Sequence, residues 1–341
     1  MVGFSHIDRA RQSAGLRSIA IETVNAADFN PAQFQRGQKH ALALSLDPWV
    51  KDVTLPVLLV RGVRPGQSLV VTAGVHGDEY EGVRAILDTY RSLDPQEMTG
   101  DFLAVSVANP PAFWNGTRTS PLDQQNLARA FPGDLNGGPT SAIAYVLGNC
   151  VIAFADFFLD LHSAGVKLLM PTMVGYDAAD SRSRAAAAAF GAPVLWGHPE
   201  VAPGRTISFA KQRDIPWLYT EARGAGRIHP DDLRVFLSGL HNLLRHLHIL
   251  PGEPTPAQIQ VHLLGSGDID ASLVATQQGF LIPEVELLQS VRAGARLGRT
   301  VDLHSETLEI FLAPRDGVVA LIRQWPVISP GDGTFMITGL S

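Results

Sequence analysis

The chain reads as an α/β protein, a mixed sheet flanked by helices, followed by a small C-terminal all-β domain. Three observations predict this. From about residue 55 to 250, apolar strand-like runs alternate with helix-like stretches, the pattern of a sheet covered by helices. The cluster Pro251-Gly252-Glu253-Pro254-Thr255-Pro256 then breaks the alternation, because it cannot continue a helix. From Gln258 onward only short alternating runs remain, separated by Gly, Asp and Pro.

In chain order, residues 55–60 and 68–73 predict strands, 81–92 a helix and 102–108 a strand. Residues 140–155 and 181–190 predict helices, the second through the helix-forming run Arg184-Ala185-Ala186-Ala187-Ala188-Ala189-Phe190. Residues 157–161 and 215–220 predict two further strands, and a helix over 231–248 closes the layer. The boundary at the breaker cluster divides the chain into a domain of residues 1–250 and a β domain of residues 256–341. Residues 1–45 form a possible N-terminal extension that pairs as an edge strand or mediates association.

Bulk properties narrow the function classes. The chain has 341 residues, 45% of them hydrophobic and 18% charged, within the soluble globular range. No apolar run approaches the roughly 20 residues of a membrane helix. The start, Met1-Val2-Gly3-Phe4-Ser5-His6-Ile7-Asp8-Arg9, has no apolar signal core, and Cys150 has no cysteine to pair with, so the cytoplasm is the expected compartment. A net charge of -6 with no basic stripe argues against a nucleic-acid partner.

The most informative stretch is Gly74-Val75-His76-Gly77-Asp78-Glu79-Tyr80-Glu81-Gly82, directly after the apolar run 68–73. A histidine and a carboxylate three residues apart therefore sit where a strand ends, the edge at which open α/β sheets bind ligands. A second apolar run, Phe157-Phe158-Leu159-Asp160-Leu161, is closed by His162-Ser163-Ala164-Gly165. His76, Glu79 and His162 together form a two-histidine, one-glutamate set that leaves a fourth tetrahedral position open, the layout of a catalytic zinc. Taken singly, His76 and Glu79 could cap a turn and His162 could be a core histidine. Asp160 lies two residues before His162, on the same strand face, and could orient a metal ligand or satisfy a backbone amide.

The ordered set His76-x-x-Glu79, Asp160-Leu161-His162-Ser163 and Thr220-Glu221-Ala222-Arg223-Gly224 resembles the succinylglutamate desuccinylase/aspartoacylase family, a branch of the zinc carboxypeptidase-like hydrolases. The resemblance runs from about residue 59 to the C-terminus. It implies a carboxypeptidase-like mixed sheet, one Zn2+ per chain on His76, Glu79 and His162, and hydrolysis of the linear amide of a small N-acyl amino acid or amine. It further implies that Glu221 is the general base, that Arg118 polarises the scissile carbonyl, and that Arg129 grips a substrate carboxylate.

One departure bears on the substrate. Before Phe131-Pro132-Gly133 the family carries Asn-Arg, whereas this chain has Ala128-Arg129, which removes one carboxylate contact and leaves Asn126 as a substitute substrate-binding group. The expected partner is thus a small N-acylated molecule, with no membrane and with a homo-oligomer possible. Rival readings are a peptide-directed metallocarboxypeptidase or amidase, and a non-catalytic zinc- or metabolite-binding protein. His241, His246 and His248 do not share one helix face and read as packing residues, while Arg205, Arg223 and Arg227 could add positive charge to a pocket rim. Ala313-Pro314-Arg315-Asp316-Gly317 is similar to a biotinyl or lipoyl carrier hairpin, but no lysine lies near it.

Overall fold

A computed structural model describes residues 21–340. Its strands are β1 (Glu22–Asn25), β2 (Gln38–Ser45), β3 (Thr54–Arg61), β4 (Arg64–Ala73), β5 (Thr99–Val105), β6 (Phe157–Leu161), β7 (Leu168–Leu169), β8 (Met173–Asp177), β9 (Val194–His198) and β10 (Trp217–Glu221). After these come β11 (Val261–Leu264), β12 (Leu273–Val274), β13 (Gly279–Pro283), β14 (Ser290–Val291), β15 (Arg296–Val301), β16 (Thr307–Leu312), β17 (Gly317–Arg323), β18 (Val327–Ile328) and β19 (Gly333–Leu340). The helices are α1 (Glu81–Ser92), α2 (Pro110–Asn115), α3 (Pro139–Val146), α4 (Ser181–Phe190), α5 (Thr206–Gln212) and α6 (Pro230–His246).

The main sheet runs β1-β2-β3-β5-β4-β6-β10-β8-β9-β11-β19-β17-β14. Its centre is parallel: β4 pairs with β5 and β6, and β6 pairs with β10. Antiparallel pairing with β3 on one side and β8 on the other makes the sheet mixed. Strands buried on both faces read as continuous apolar runs because each face meets a helix layer. Val70 and Phe158 pack on one side with Ile143 of α3 and Phe209 of α5. Leu69, Val71 and Leu159 pack on the other with Ile86 of α1, Ala186 of α4 and Leu240 of α6. The predicted α/β architecture is therefore present, and a separate antiparallel sheet, β16-β15-β13-β18, accompanies it.

Several element bounds differ from the sequence expectation for local reasons. The strand expected over 102–108 ends at Val105, since the backbone must turn before Pro110. The helix expected over 140–155 is α3 to Val146, then a wide π turn Leu147–Val151 and a 3-10 turn Ile152–Phe154. The polar stretch of residues 109–133 contains α2, which starts with Asn109 Oδ1 accepting from Ala112 N and stops at Gly116 in the left-handed region. Within residues 1–45, β1 and β2 form the edge of the main sheet, and residues 1–20 lie outside the described residues. His241 on α6 is held by Ser92 Oγ and Leu237 O, a packing role.

The late strands are stitched to the α/β layer. β11 pairs in parallel with β9, and β7, from the loop after β6, pairs with β17. At the end of β9, His198 Nδ1 donates to Gly265 O at 2.9 Å and Nε2 accepts from Tyr219 OH at 2.9 Å. Tyr219 reaches His198 across Gly175, where any Cβ would stand 2.0 Å from the tyrosine ring.

Burial pushes the His198 imidazole down to about 4, against smaller opposing pulls from the Gly265 carbonyl and Asp177. The unfolded chain takes up this proton near pH 6.5, before the folded chain does, so stability is lost as pH falls from about 6.5 toward 4. Between pH 7 and 5 this one group should cost about 2 kcal/mol. Urea midpoints at the two pH values should therefore separate less for His198→Gln than for the wild type; equal separations would exclude a buried neutral imidazole.

Candidate active site

Three adjacent parallel strands, β4, β6 and β10, end at the same edge, with Ala73 level with Leu161 and Leu161 level with Thr220. The residues just beyond these ends are His76 and Glu79, then His162, then Glu221 at the last position of β10. The turn after β4 begins at Gly74, at φ +64°, and passes so close to α2 that a Cβ on Gly77 would lie 2.1 Å from the Ala112 carbonyl carbon. Glycine is therefore required for this turn to reach α1.

The Glu79 carboxylate sits between the two rings. His76 Nδ1 lies 2.6 Å from Oε1 and His162 Nδ1 lies 2.9 Å from Oε2, which also accepts from Ser163 N at 3.2 Å. Each ring is fixed from behind. His162 Nε2 lies 2.9 Å from Asp160 Oδ2, and His76 Nε2 lies 3.2 Å from Asn126 Oδ1, an oxygen that also accepts from Ala128 N. Asp160 is itself fully buried and takes the hydroxyls of Thr72 and Thr206. Both Nδ1 atoms thus face inward with Glu79, and the ligand atoms of the three residues lie within 4.8 Å of one another. Mixed imidazole and carboxylate donors at this spacing, with the outer nitrogens already bonded, fit a divalent metal ion.

The electrostatics reflect this crowding. Burial favours protonation of Glu79, but the adjacent His76 and His162 outweigh it and hold the carboxyl far below its usual range. Burial and the Arg118 charge push His76 down, despite the opposing pull of Glu79. For His162 burial acts downward, yet Asp160 and Glu79 hold the imidazole well above its usual range.

Glu221 is different. Burial, followed by the charge of Glu79, pushes its carboxyl up to about 8. Its Oε2 atom is buried without a hydrogen-bond partner, as is the nearby Ser163 Oγ. Unpartnered buried oxygens are costly, and in a cleft they mark groups that face a ligand, water or ion.

Arg118 Nη1 lies 3.3 Å from His76 Nδ1 and donates to Glu79 Oε1 at 3.4 Å, which puts its guanidinium at the His76–Glu79–His162 cluster. Arg129 is further out: Nε donates to Asp270 Oδ2 at 2.8 Å and Nη1 to Ala128 O at 2.9 Å. Asn126 is occupied by His76 and the backbone. The cleft spans about 870 Å3 including its open mouth, and residues from His76 to Ile269 line it.

Sequence reasoning missed six contributors. Thr72 and Thr206 steady Asp160, and Glu81, buried and pushed up to about 7 by desolvation, lies behind the cluster. Asp268 and the His198–Tyr219 pair complete the far wall, together with Arg205, which the sequence offered as a pocket-rim charge. Only the alternation that places Thr72 on one face of β4 could have pointed to any of these.

Comparison with known proteins agrees with this geometry. Residues 65–247 match the succinylglutamate desuccinylase/aspartoacylase catalytic domain. The chain is 32% identical over 289 residues to the N-alpha-acetyl-L-2,4-diaminobutyric acid deacetylase of Halomonas elongata, covering 82% of this chain and 84% of that protein. A succinylglutamate desuccinylase/aspartoacylase from Rhodobacter sphaeroides superposes with a TM-score of 0.76 at 31% identity, covering 85% of this chain and 90% of the other. The product-bound ectoine utilization protein EutE (DoeB) from Ruegeria pomeroyi superposes with a TM-score of 0.80 at 27% identity, covering 89% and 96%. The mixed α/β layer, the ordered site residues and these likenesses together establish that the chain belongs to the succinylglutamate desuccinylase/aspartoacylase family.

Proposed function

We propose that the protein is a zinc-dependent deacylase that hydrolyses the linear amide of a small N-acyl amino acid. The observation that carries this reading is the convergence of His76, Glu79 and His162 beside an unpartnered, buried Glu221 oxygen at the ends of three adjacent strands. Relatives named as deacetylase and desuccinylase supply the reaction class.

His76, Glu79 and His162 would hold the ion. Zinc bound there lowers the pKa of water toward neutrality and polarises the acyl carbonyl. Glu221 would take a proton from the attacking water and deliver it to the leaving nitrogen as the amide C–N bond breaks. Arg118 donates to the oxygen on which negative charge develops. Asp160 and Asn126 hold the outer nitrogens of the two histidines, so that both Nδ1 atoms would be turned toward a bound ion. Arg129 anchors the substrate carboxylate, the planar fork suiting a two-oxygen acceptor.

Amine release from N-acetyl, N-succinyl and N-formyl amino acids, including N-α-acetyl-2,4-diaminobutyrate, should appear with zinc-loaded wild type. It should fall by about 10² to 10⁴ in Glu221→Gln, with zinc retained. Full turnover in the variant, or none across the panel in zinc-loaded wild type, would sink the reading. In a competition assay against a chromogenic chelator, Asn126→Ala and Asp160→Asn should each weaken zinc binding about 10- to 100-fold. Unchanged zinc affinity would show that these contacts do not orient the ligands.

A further inference from the structure

Opposite the His76–Glu79–His162 cluster, the cleft wall includes residues 266–269, which lie outside the 65–247 family match. Gly267 is seated on the His198–Tyr219 pair so closely that a Cβ would stand 2.5 Å from His198 Cε1 and 2.9 Å from Tyr219 OH. That seat fixes Asp268, which caps the short turn Ile269–Ala271 by accepting from Asp270 N at 3.1 Å. Asp268 Oδ1 lies 2.6 Å from Arg205 Nη2 and 3.9 Å from Arg129 Nη2, while Asp270 Oδ2 lies 2.8 Å from Arg129 Nε and 3.8 Å from Arg205 Nη2. Two guanidinium groups and two carboxylates thus form one neutral, interlaced network at the outer end of the cleft.

This neutrality constrains the ligand. A substrate carboxylate that engages Arg129 must share it with, or displace it from, Asp270. A ligand carrying only carboxylates would leave the aspartates facing added negative charge. A ligand carrying a carboxylate and an ammonium can exchange ion pairs with the network at no net change in charge.

We propose that Asp268, aided by Asp270, is a specificity residue that receives a second, cationic amine of the substrate. The cleft would thereby favour N-acyl diamino acids over N-acyl dicarboxylates. The assignment builds on the deacylase activity proposed above and adds the group that selects among its substrates.

The test is calorimetric titration of the full-length, zinc-loaded protein with 2,4-diaminobutyrate, alanine and aspartate, run beside hydrolysis of their N-α-acetyl derivatives. Wild type should bind 2,4-diaminobutyrate at least about tenfold more tightly than aspartate, and kcat/KM should follow the same order. Asp268→Asn should collapse that ratio toward one, whereas Asp268→Glu, which keeps the charge, should retain most of it. A wild-type preference for aspartate, or a ratio unmoved in Asp268→Asn, would overturn the proposal. So would equal loss for all ligands in both variants, which would mark Asp268 as merely structural. Ligand preference with no hydrolysis of any derivative would support the cation site and defeat the deacylase reading instead.

Discussion

The Glu79 carboxylate is the point on which the site depends. It is buried, it bridges Nδ1 of His76 and Nδ1 of His162, it accepts from Ser163 N, and Arg118 reaches its other side. A carboxylate removed from water is tolerable only when its lone pairs are engaged by charged or polar donors. The surrounding elements must therefore deliver those donors to within hydrogen-bond distance at once. Parallel pairing of β4, β6 and β10 does this, because strands in register with one direction end on one edge and release their next residues into the same volume. The continuous burial of these strands, with α1, α4 and α6 on one face and α3 and α5 on the other, then acts as the rigid support for a polar cluster at their tips.

Support extends outward in layers. Behind His162, Asp160 is gripped by Thr72 and Thr206, so the ring direction is set by β4, β6 and the start of α5 together. Behind His76, Asn126 spends its oxygen on the ring and on Ala128 N, tying the long loop after α2 to the first histidine. A ring held at Nε2 keeps one orientation, with Nδ1 turned toward Glu79. The turn at Gly77 belongs to the same scheme: only the absence of a Cβ lets the histidine segment pass against α2.

Much of this was legible from the residues. The apolar runs fixed the central strands because burial on two faces erases alternation, and a strand end followed by a histidine places that histidine at the binding edge. Asp160 could be tied to His162 because two residues apart on a strand means one face. The fate of Asn126 could not be read: its partner, His76, is 50 residues away, and only tertiary packing sets that distance. α2 was missed although Asn109, Pro110 and Gly116 are ordinary start and stop residues; the surrounding polar run concealed them. Least legible was the loop of residues 266–271, since the contact between Arg129 and Asp270 spans 141 positions and depends on β11 pairing with β9. Arginines in a loop carry no sequence mark of which carboxylate will meet them.

The separation of these two polar systems suggests a division of labour within one cleft. The inner cluster is assembled by strand ends whose register is imposed by the core, and changes there would disturb three strands together. The two aspartates of the outer network sit on a loop held to the sheet through the Gly265 carbonyl, His198 and Tyr219, whereas its two arginines adjoin inner supports, Arg205 beside Thr206 and Arg129 beside Ala128. Tyr219 and Glu221 lie two residues apart on β10, and the same strand therefore seats the selecting loop and presents the carboxyl proposed to move the proton. Chemistry common to a family and substrate choice peculiar to one member can be coupled in position while remaining separable in sequence.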